Sequence, residues 1–126
     1  MTQKTYRDLE VWQIGMQIVS IAYNLTREYP KDEEYGLKQQ TRRAAVSIPS
    51  NIAEGYRRNS PKELVRFLRI SQGSLAEVET QITVAKQESY ISEQQEKELL
   101  ELSNKEARKI QAFINSISVE DVISGI

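Results

Sequence analysis

Residues 47–58 read Ser-Ile-Pro-Ser-Asn-Ile-Ala-Glu-Gly-Tyr-Arg-Arg, which places a proline and a glycine inside a pattern that otherwise predicts one long helix. The whole chain of 126 residues has only 3 prolines and 5 glycines. A proline inside a helix removes one backbone hydrogen bond and costs roughly 3 kcal/mol. We therefore expect a bend near Pro49, required by packing or by a partner, and packing is the favoured cause.

The chain on both sides of this stretch predicts four long helices. Apolar residues recur at spacings of three and four over about residues 8–28, 33–56, 61–88 and 93–117. The short connections favour antiparallel neighbours, and no segment shows strand alternation. The predicted fold class is an all-α, antiparallel up-down four-helix bundle over residues 1–117, followed by a C-terminal tail at 118–126.

The sequence contains clear capping signals for the starts of two helices. Ser60 is a good N-cap, Pro61 suits the first helical position, and Glu63 follows three residues after the cap. Ser92 and Gln95 repeat the capping-box spacing before the fourth helix. The third helix continues with apolar and small residues in an unbroken heptad seam, which is typical of bundles.

The first helix carries two apolar stripes, whereas one stripe suffices for a helix on a bundle surface. One stripe is Leu9, Trp12, Met16, Val19, Tyr23 and Thr26, and the other is Val11, Ile14, Ile18, Ile21 and Leu25. We expect burial on two sides, and we therefore predict a homo-oligomer. The inward faces predicted for the other helices include Thr41, Ile48 and Ile52, then Leu68, Leu75 and Ile82, and finally Leu99, Leu102, Ile110, Phe113 and Ile117.

Composition argues against most enzyme chemistries. The chain has no cysteine and no histidine, so the commonest general base and the commonest zinc ligand are both missing. The glutamates at 93, 96, 98 and 101 are interpreted as a solvated acidic face, and a magnesium-dependent nuclease has no positive support. We expect no catalytic residues, no cofactor and no metal. The polar N-terminus and the interrupted apolar runs predict a cytoplasmic protein without a signal peptide or a membrane span.

The net charge of −1 hides a strong asymmetry along the chain. Residues 36–69 contain eight basic and two acidic residues, whereas residues 77–126 contain five basic and ten acidic residues. Such a division suggests binding of a polyanion, or self-assembly between unlike surfaces. The candidate phosphate contacts are Arg42, Arg43, Arg57, Arg58, Lys62, Arg66 and Arg69.

The basic residues also have a plainer interpretation, which is a solvated helical face with ion pairs such as Glu63 to Arg66. Aromatic residues near this group are few. Tyr56 is close in sequence, and Phe67 is assigned to the core. Contact with a phosphate backbone is therefore favoured over stacking on single-stranded bases.

Two motifs carry a resemblance to a known family. The opening Tyr-Arg-Asp-Leu-Glu-Val-Trp at residues 6–12 and the segment at 47–58 resemble the small four-helix-bundle proteins encoded in intervening sequences of bacterial 23S ribosomal RNA genes. The resemblance covers nearly the whole chain. It implies an antiparallel four-helix protomer that assembles into a ring, usually a pentamer, and a nucleic-acid-binding role. A similar fold serves as the accessory protein of diversity-generating retroelements, where it binds RNA and a reverse transcriptase.

The sequence thus supports one main functional hypothesis and two alternatives. The first is a non-enzymatic, oligomeric bundle that binds RNA or DNA through the basic surface. The second is a protein–protein adaptor or accessory subunit, for example of a reverse transcriptase complex, without direct nucleic-acid recognition. An enzyme is the least favoured.

Overall fold

The computed structural model describes residues 4–117, and its helices form a bundle. The four long helices are α1 (Glu10–Thr26), α2 (Leu37–Arg57), α3 (Pro61–Gln87) and α4 (Glu93–Ser116). A short 3-10 turn, Tyr6–Asp8, precedes α1, and a second, Lys31–Glu33, precedes α2. The all-α prediction is confirmed. The tail at 118–126 lies outside the described residues.

The helix starts follow the capping signals. The Ser60 hydroxyl accepts a hydrogen bond from the Glu63 backbone N–H at 3.3 Å. The Ser92 hydroxyl and the Gln95 side chain form the reciprocal capping box that the sequence predicts. The second helix begins at Leu37, about four residues later than predicted. The reason is the preceding 3-10 turn, from which the Glu33 carboxylate accepts the Leu37 N–H at 2.9 Å.

Consecutive helices pack side by side, and α4 closes the bundle against α1. Arg42, near the start of α2, reaches the Tyr23 carbonyl near the end of α1. The Ser103 hydroxyl of α4 donates a hydrogen bond to Glu79 of α3. A second contact between α3 and α4, in which the Gln72 amide donates to Gln111, lies earlier in α3 and later in α4. The contacts of α2 with α3 run in the same sense, since Ile48 meets Ser71 and Ser47 meets Ser74. These pairs of neighbours are therefore antiparallel. We call the end of the bundle where α2 ends and α3 begins the junction end.

The two stripes of α1 are buried to different degrees. Four members of one stripe, Val11, Ile14, Ile18 and Leu25, lie in the core. The other stripe is mostly half-buried, and Met16 is 41% exposed. Three members of this second stripe, Trp12, Met16 and Val19, line an open groove between α1 and α2 with a volume of about 250 Å³. The other lining residues are Tyr6, Val46, Pro49, Ser50 and Ala53. We call this groove the α1–α2 groove.

The buried face of α4 differs from the predicted one. Its buried residues are Leu99, Ser103, Glu106, Ile110 and Ile114. The predicted inward residues Leu102, Phe113 and Ile117 only pack against the edge of the core. The helix is therefore rotated from the expected orientation, and it brings a glutamate into the interior.

The helix α2 runs through Pro49 as one continuous element. Since proline has no N–H, the Ala45 carbonyl lacks its usual helical donor. Nearby carbonyls receive extra donors: the Asn51 amide donates to the Ser47 carbonyl at 2.8 Å, and the Ser71 hydroxyl donates to the Ile48 carbonyl at 2.9 Å. The bend expected here stays a prediction.

Candidate nucleic-acid interface

A close contact between α2 and α3 sets the position of the basic residues at the junction end. A Cβ atom placed on Gly55 would lie 2.6 Å from the Phe67 Cβ, so only glycine lets the two helices approach this closely. The chain then turns through Asn59, whose φ is 54°, and enters α3 at the Ser60 cap. As a result, the cations at the end of α2 and those in the first turns of α3 lie at the same end of the bundle.

Two of these cations, Arg58 and Arg66, lie over the same aromatic ring. Their guanidinium carbons are 5.0 Å and 4.4 Å from the centroid of the Phe67 ring, which is itself 5% exposed. The prediction that Phe67 belongs to the core is confirmed. Stacking on an aromatic ring restricts a guanidinium group and leaves its edge available for hydrogen bonds.

The same two arginines form ion pairs along their own helices. Arg58 contacts Glu54 at 2.9 Å, and Arg66 contacts Glu63 at 3.0 Å. The hydrogen bond to Arg66 holds the pKa of Glu63 below its ordinary value, and the same bond raises the pKa of Arg66. The ion-pair interpretation is therefore correct for these two residues. Exposed pairs of this kind contribute little stability, so an incoming phosphate can compete for either guanidinium.

Arg57 stacks on the N-terminal segment rather than on α3. Its guanidinium carbon lies 5.4 Å from the centroid of the Tyr6 ring, and Arg7 lies at the same distance from that ring. Arg7 also lies 5.3 Å from the Trp12 ring, which meets Tyr6 edge-on. Sequence reasoning missed Arg7, because it is 50 positions from Arg57 in the chain and residues 1–35 contain more acidic than basic residues.

Three further candidates are exposed: Arg43, Lys62 and Arg69. Among residues 4–117, none of the three forms an ion pair. Lys62 and Arg69 share a face of α3 with Arg66, because their spacings are 4 and 3. Arg43 instead lines a separate groove between α2 and α3, together with Glu77 and Gln81.

Arg42 has a different environment from the other candidates. Its Nε donates to the Thr26 hydroxyl at 2.8 Å, and another guanidinium nitrogen donates to the Tyr23 carbonyl at 3.3 Å. The group also lies 4.3 Å from the centroid of the Tyr23 ring. Arg42 therefore joins α2 to α1. It lies about 22 Å from Arg57 along α2, because an α-helix rises 1.5 Å per residue. The structure does not bring it together with the junction cations.

Within residues 4–117, no group of three or more histidine, cysteine, aspartate or glutamate residues is placed to hold a metal ion. None of the helices described there is both long enough and apolar enough to cross a membrane.

Comparisons with known proteins agree with this architecture. A family model described as "23S rRNA-intervening sequence protein" matches residues 7–112. A crystal structure from Bacteroides thetaiotaomicron, described as a protein of unknown function from the S23 ribosomal protein family, has a similar fold with a TM-score of 0.77. The two chains are 20% identical, and the match covers 84% of this chain and 99% of that one. No curated protein matches the sequence.

Proposed function

Since this chain belongs to the 23S rRNA-intervening sequence protein family, we propose that it is a non-enzymatic protein that binds RNA or DNA. The junction end would contact backbone phosphates. The observation that carries this proposal is the convergence of cations from three segments: Arg7 before α1, Arg57 and Arg58 at the end of α2, and the cations of early α3. Lysine and arginine contacts to phosphates supply most of the sequence-independent affinity for nucleic acids.

The contacts of each cation predict how much it contributes. Arg57, Lys62 and Arg69 are exposed and form no ion pair among the described residues, so we expect them to contribute most. Arg58 and Arg66 must first give up part of their contact with Glu54 and Glu63, so we expect smaller contributions from them. The aromatic rings beneath Arg57, Arg58 and Arg66 favour binding, because a restrained side chain loses less entropy when it binds.

We also propose that the protein assembles into a ring-like homo-oligomer through the α1–α2 groove, and the resemblance suggests five subunits. Met16 and Val46 are 41% and 38% exposed there, and the half-buried Trp12 and Val19 continue the apolar surface. A second copy of the chain would bury this stripe. A ring would repeat the basic surface on every subunit, so that modest phosphate contacts would add through multivalency.

Fluorescence anisotropy with a labelled RNA over a salt series tests the nucleic-acid proposal. The test variant is the double substitution Arg57→Gln, Lys62→Gln. The matched control is Lys97→Gln, Lys105→Gln, which removes the same charge from exposed positions of α4. We expect the test variant to reduce the slope of log affinity against log salt by about 1.5, since each lost phosphate contact reduces it by about 0.7–0.9.

The control variant should bind like the parent. Equal effects of the two pairs would mean that only net charge matters and that the junction end is not the interface. A parent protein without salt-dependent affinity for RNA or DNA would contradict the proposal.

The α1–α2 groove favours a second candidate function, which is a protein–protein adaptor. An apolar groove with polar margins suits a protein partner as well as a second copy of the chain. Adaptor binding through the groove would change little with salt, and Val46→Glu would abolish it. The same substitution would leave the monomer's contacts to RNA intact.

A further inference from the structure

The side chain of Glu106 is completely buried in the middle of α4, with an exposed fraction of 0%. Neither of its carboxylate oxygens has a hydrogen-bond partner among the described residues. A buried carboxyl group is ordinarily paired with a donor or a cation, because an unpaired charge in the interior is very unfavourable. This group therefore stands apart from the other buried polar side chains of α4: the Ser103 hydroxyl, one turn earlier, donates to Glu79.

The neighbouring helix α1 leaves room for the carboxyl group by means of a glycine. A Cβ atom on Gly15 would lie 3.3 Å from the Glu106 Oε2 and 3.4 Å from both the Ile48 Cγ2 and the Pro49 Cβ. The carboxyl group thus lies at a point where α1, α2 and α4 meet. Pro49 also lines the α1–α2 groove, so this residue connects the surroundings of the carboxyl group with the groove.

The charged groups that face Glu106 are acidic or already paired. On α1, the Glu10 carboxylate repels a negative charge on Glu106. Lys109 of α4 forms an ion pair with Glu10 at 2.9 Å, so this cation is already paired. The buried residues of α2 are all uncharged, and on α3 the carboxylate that contacts α4 is Glu79. Burial, with a smaller contribution from Glu10, raises the pKa of Glu106 from 4.5 to about 8.

We propose that Glu106 is a proton-operated switch that couples pH to the packing of α4 against α1 and to the α1–α2 groove. A neutral carboxyl group can stay in this apolar site at modest cost, whereas a carboxylate requires water or a donor. No described residue donates a hydrogen bond to this carboxyl group, so ionisation must either admit water or move α4 away from Gly15. Pro49 would carry that movement to the groove. The proposal does not depend on nucleic-acid binding.

The direction of the pH effect follows from the two protonation states. The folded chain holds the Glu106 proton up to about pH 8, whereas the unfolded chain releases it near pH 4.5. The stabilising contribution of the neutral group is therefore complete below about pH 4.5 and is lost as pH rises towards 8. Within that window the unfolding equilibrium constant rises about tenfold per pH unit from this group alone.

Urea unfolding between pH 5 and pH 8 tests the switch. The variants are Glu106→Gln and the matched control Glu101→Gln, which changes an exposed glutamate on the same helix. We expect the parent and the control to lose stability as pH rises. In Glu106→Gln, the rise of the unfolding equilibrium constant should be about tenfold smaller per pH unit than in the parent. Glu106→Met provides the same comparison if the glutamine variant does not fold. A parent and a Glu106 variant with identical pH dependence would overturn the proposal.

Trp12 gives a direct readout of the groove, since it is the one tryptophan in the chain and it lines the groove. In the folded parent, we expect its fluorescence to change between pH 7 and pH 9 together with the infrared band of a neutral carboxyl group. Both changes should be absent from Glu106→Gln and present in Glu101→Gln. A carboxyl band that titrates while Trp12 fluorescence stays constant would contradict the coupling to the groove.

Discussion

The α2–α3 pair and the α1–α4 pair bury polar groups in different ways. Between α2 and α3, the Ser71 hydroxyl donates to the Ile48 carbonyl, and the hydroxyls of Ser47 and Ser74 are 2.8 Å apart. Between α1 and α4, the carboxyl group of Glu106 lies beside Gly15 and accepts no hydrogen bond from residues 4–117. Small hydroxyl side chains can bond to the facing helix at close approach, whereas a carboxyl group needs a partner of its own.

This difference matters for what each pair can do. The α2–α3 pair is held by close backbone approach at Gly55 and by complementary hydroxyl groups, so it can support the basic residues at the junction end. The α1–α4 pair contains an unpaired ionisable group, so its packing responds to pH. We expect the first pair to be rigid and the second to be the more easily separated.

The largest expected effect is a loss of stability in Leu75→Ala. Leu75 of α3 is only 2% exposed and belongs to the core, so its truncation leaves a cavity. We expect the free energy of unfolding to fall by roughly 2–5 kcal/mol, measured by urea denaturation. Ile70→Ala on the exposed side of the same helix is the control, with an expected change of about 0.5 kcal/mol. Similar losses in both variants would show that the inward face of α3 is misassigned.

Two glycine substitutions test the difference between the helix pairs directly. In Gly55→Ala the new methyl group would meet the Phe67 Cβ at 2.6 Å, which forces α2 and α3 apart and should cost roughly 1–3 kcal/mol. In Gly15→Ala the nearest atom is the Glu106 carboxylate oxygen at 3.3 Å, at the end of a flexible side chain. We expect a change below about 1 kcal/mol there. Thermal melts of both variants would measure the two losses of stability. A larger loss for Gly15→Ala would mean that α1 and α4 are packed more tightly than α2 and α3.

The sequence predicted the helices and much of the core because their signals are local. Ser60 and Ser92 cap their helices as expected, and Leu68, Leu75 and Ile82 are buried as the heptad seam requires. The predicted inward face of α4 was right for Leu99 and Ile110, which are fully buried. It was wrong for Leu102, Phe113 and Ile117, because a search for apolar residues passes over a buried glutamate. The spacing itself held the signal, since positions 99, 103, 106 and 110 recur at 4, 3 and 4.

The candidate site was only partly predictable, because it depends on contacts between distant segments. The clustering of Arg57, Arg58 and Arg66 follows from their nearness in sequence. The stacking of Arg7 and Arg57 on Tyr6 depends on the way the N-terminal turn folds against the end of α2. Such a contact is visible only in the tertiary structure, because counting charges within one segment of the sequence does not show which distant residues meet.

Arg42 and its neighbour Arg43 should differ in their contributions to stability because, within residues 4–117, only Arg42 forms hydrogen bonds to another helix. Arg42 donates to Thr26 and Tyr23 of α1, whereas Arg43 is exposed. We expect Arg42→Gln to lower the free energy of unfolding by about 1 kcal/mol, because it removes hydrogen bonds that join α1 to α2. Arg43→Gln should leave the urea midpoint unchanged. Equal midpoints for the two variants would mean that the Arg42 contacts contribute nothing to stability.

The smallest effect should be a gain in stability at Gly73, on the exposed side of α3. A Cβ atom there would meet no atom within 4 Å beyond the backbone of its own helix, and the residue lies inside the helix. Alanine restricts the unfolded chain more than glycine does, so Gly73→Ala should stabilise the protein by about 0.5–1 kcal/mol. A rise in melting temperature would indicate that this side of α3 is exposed to solvent in the assembled protein. A fall in melting temperature that depends on protein concentration would instead show that Gly73 lies in a contact between copies of the chain, and the α1–α2 groove would then not be the sole subunit interface.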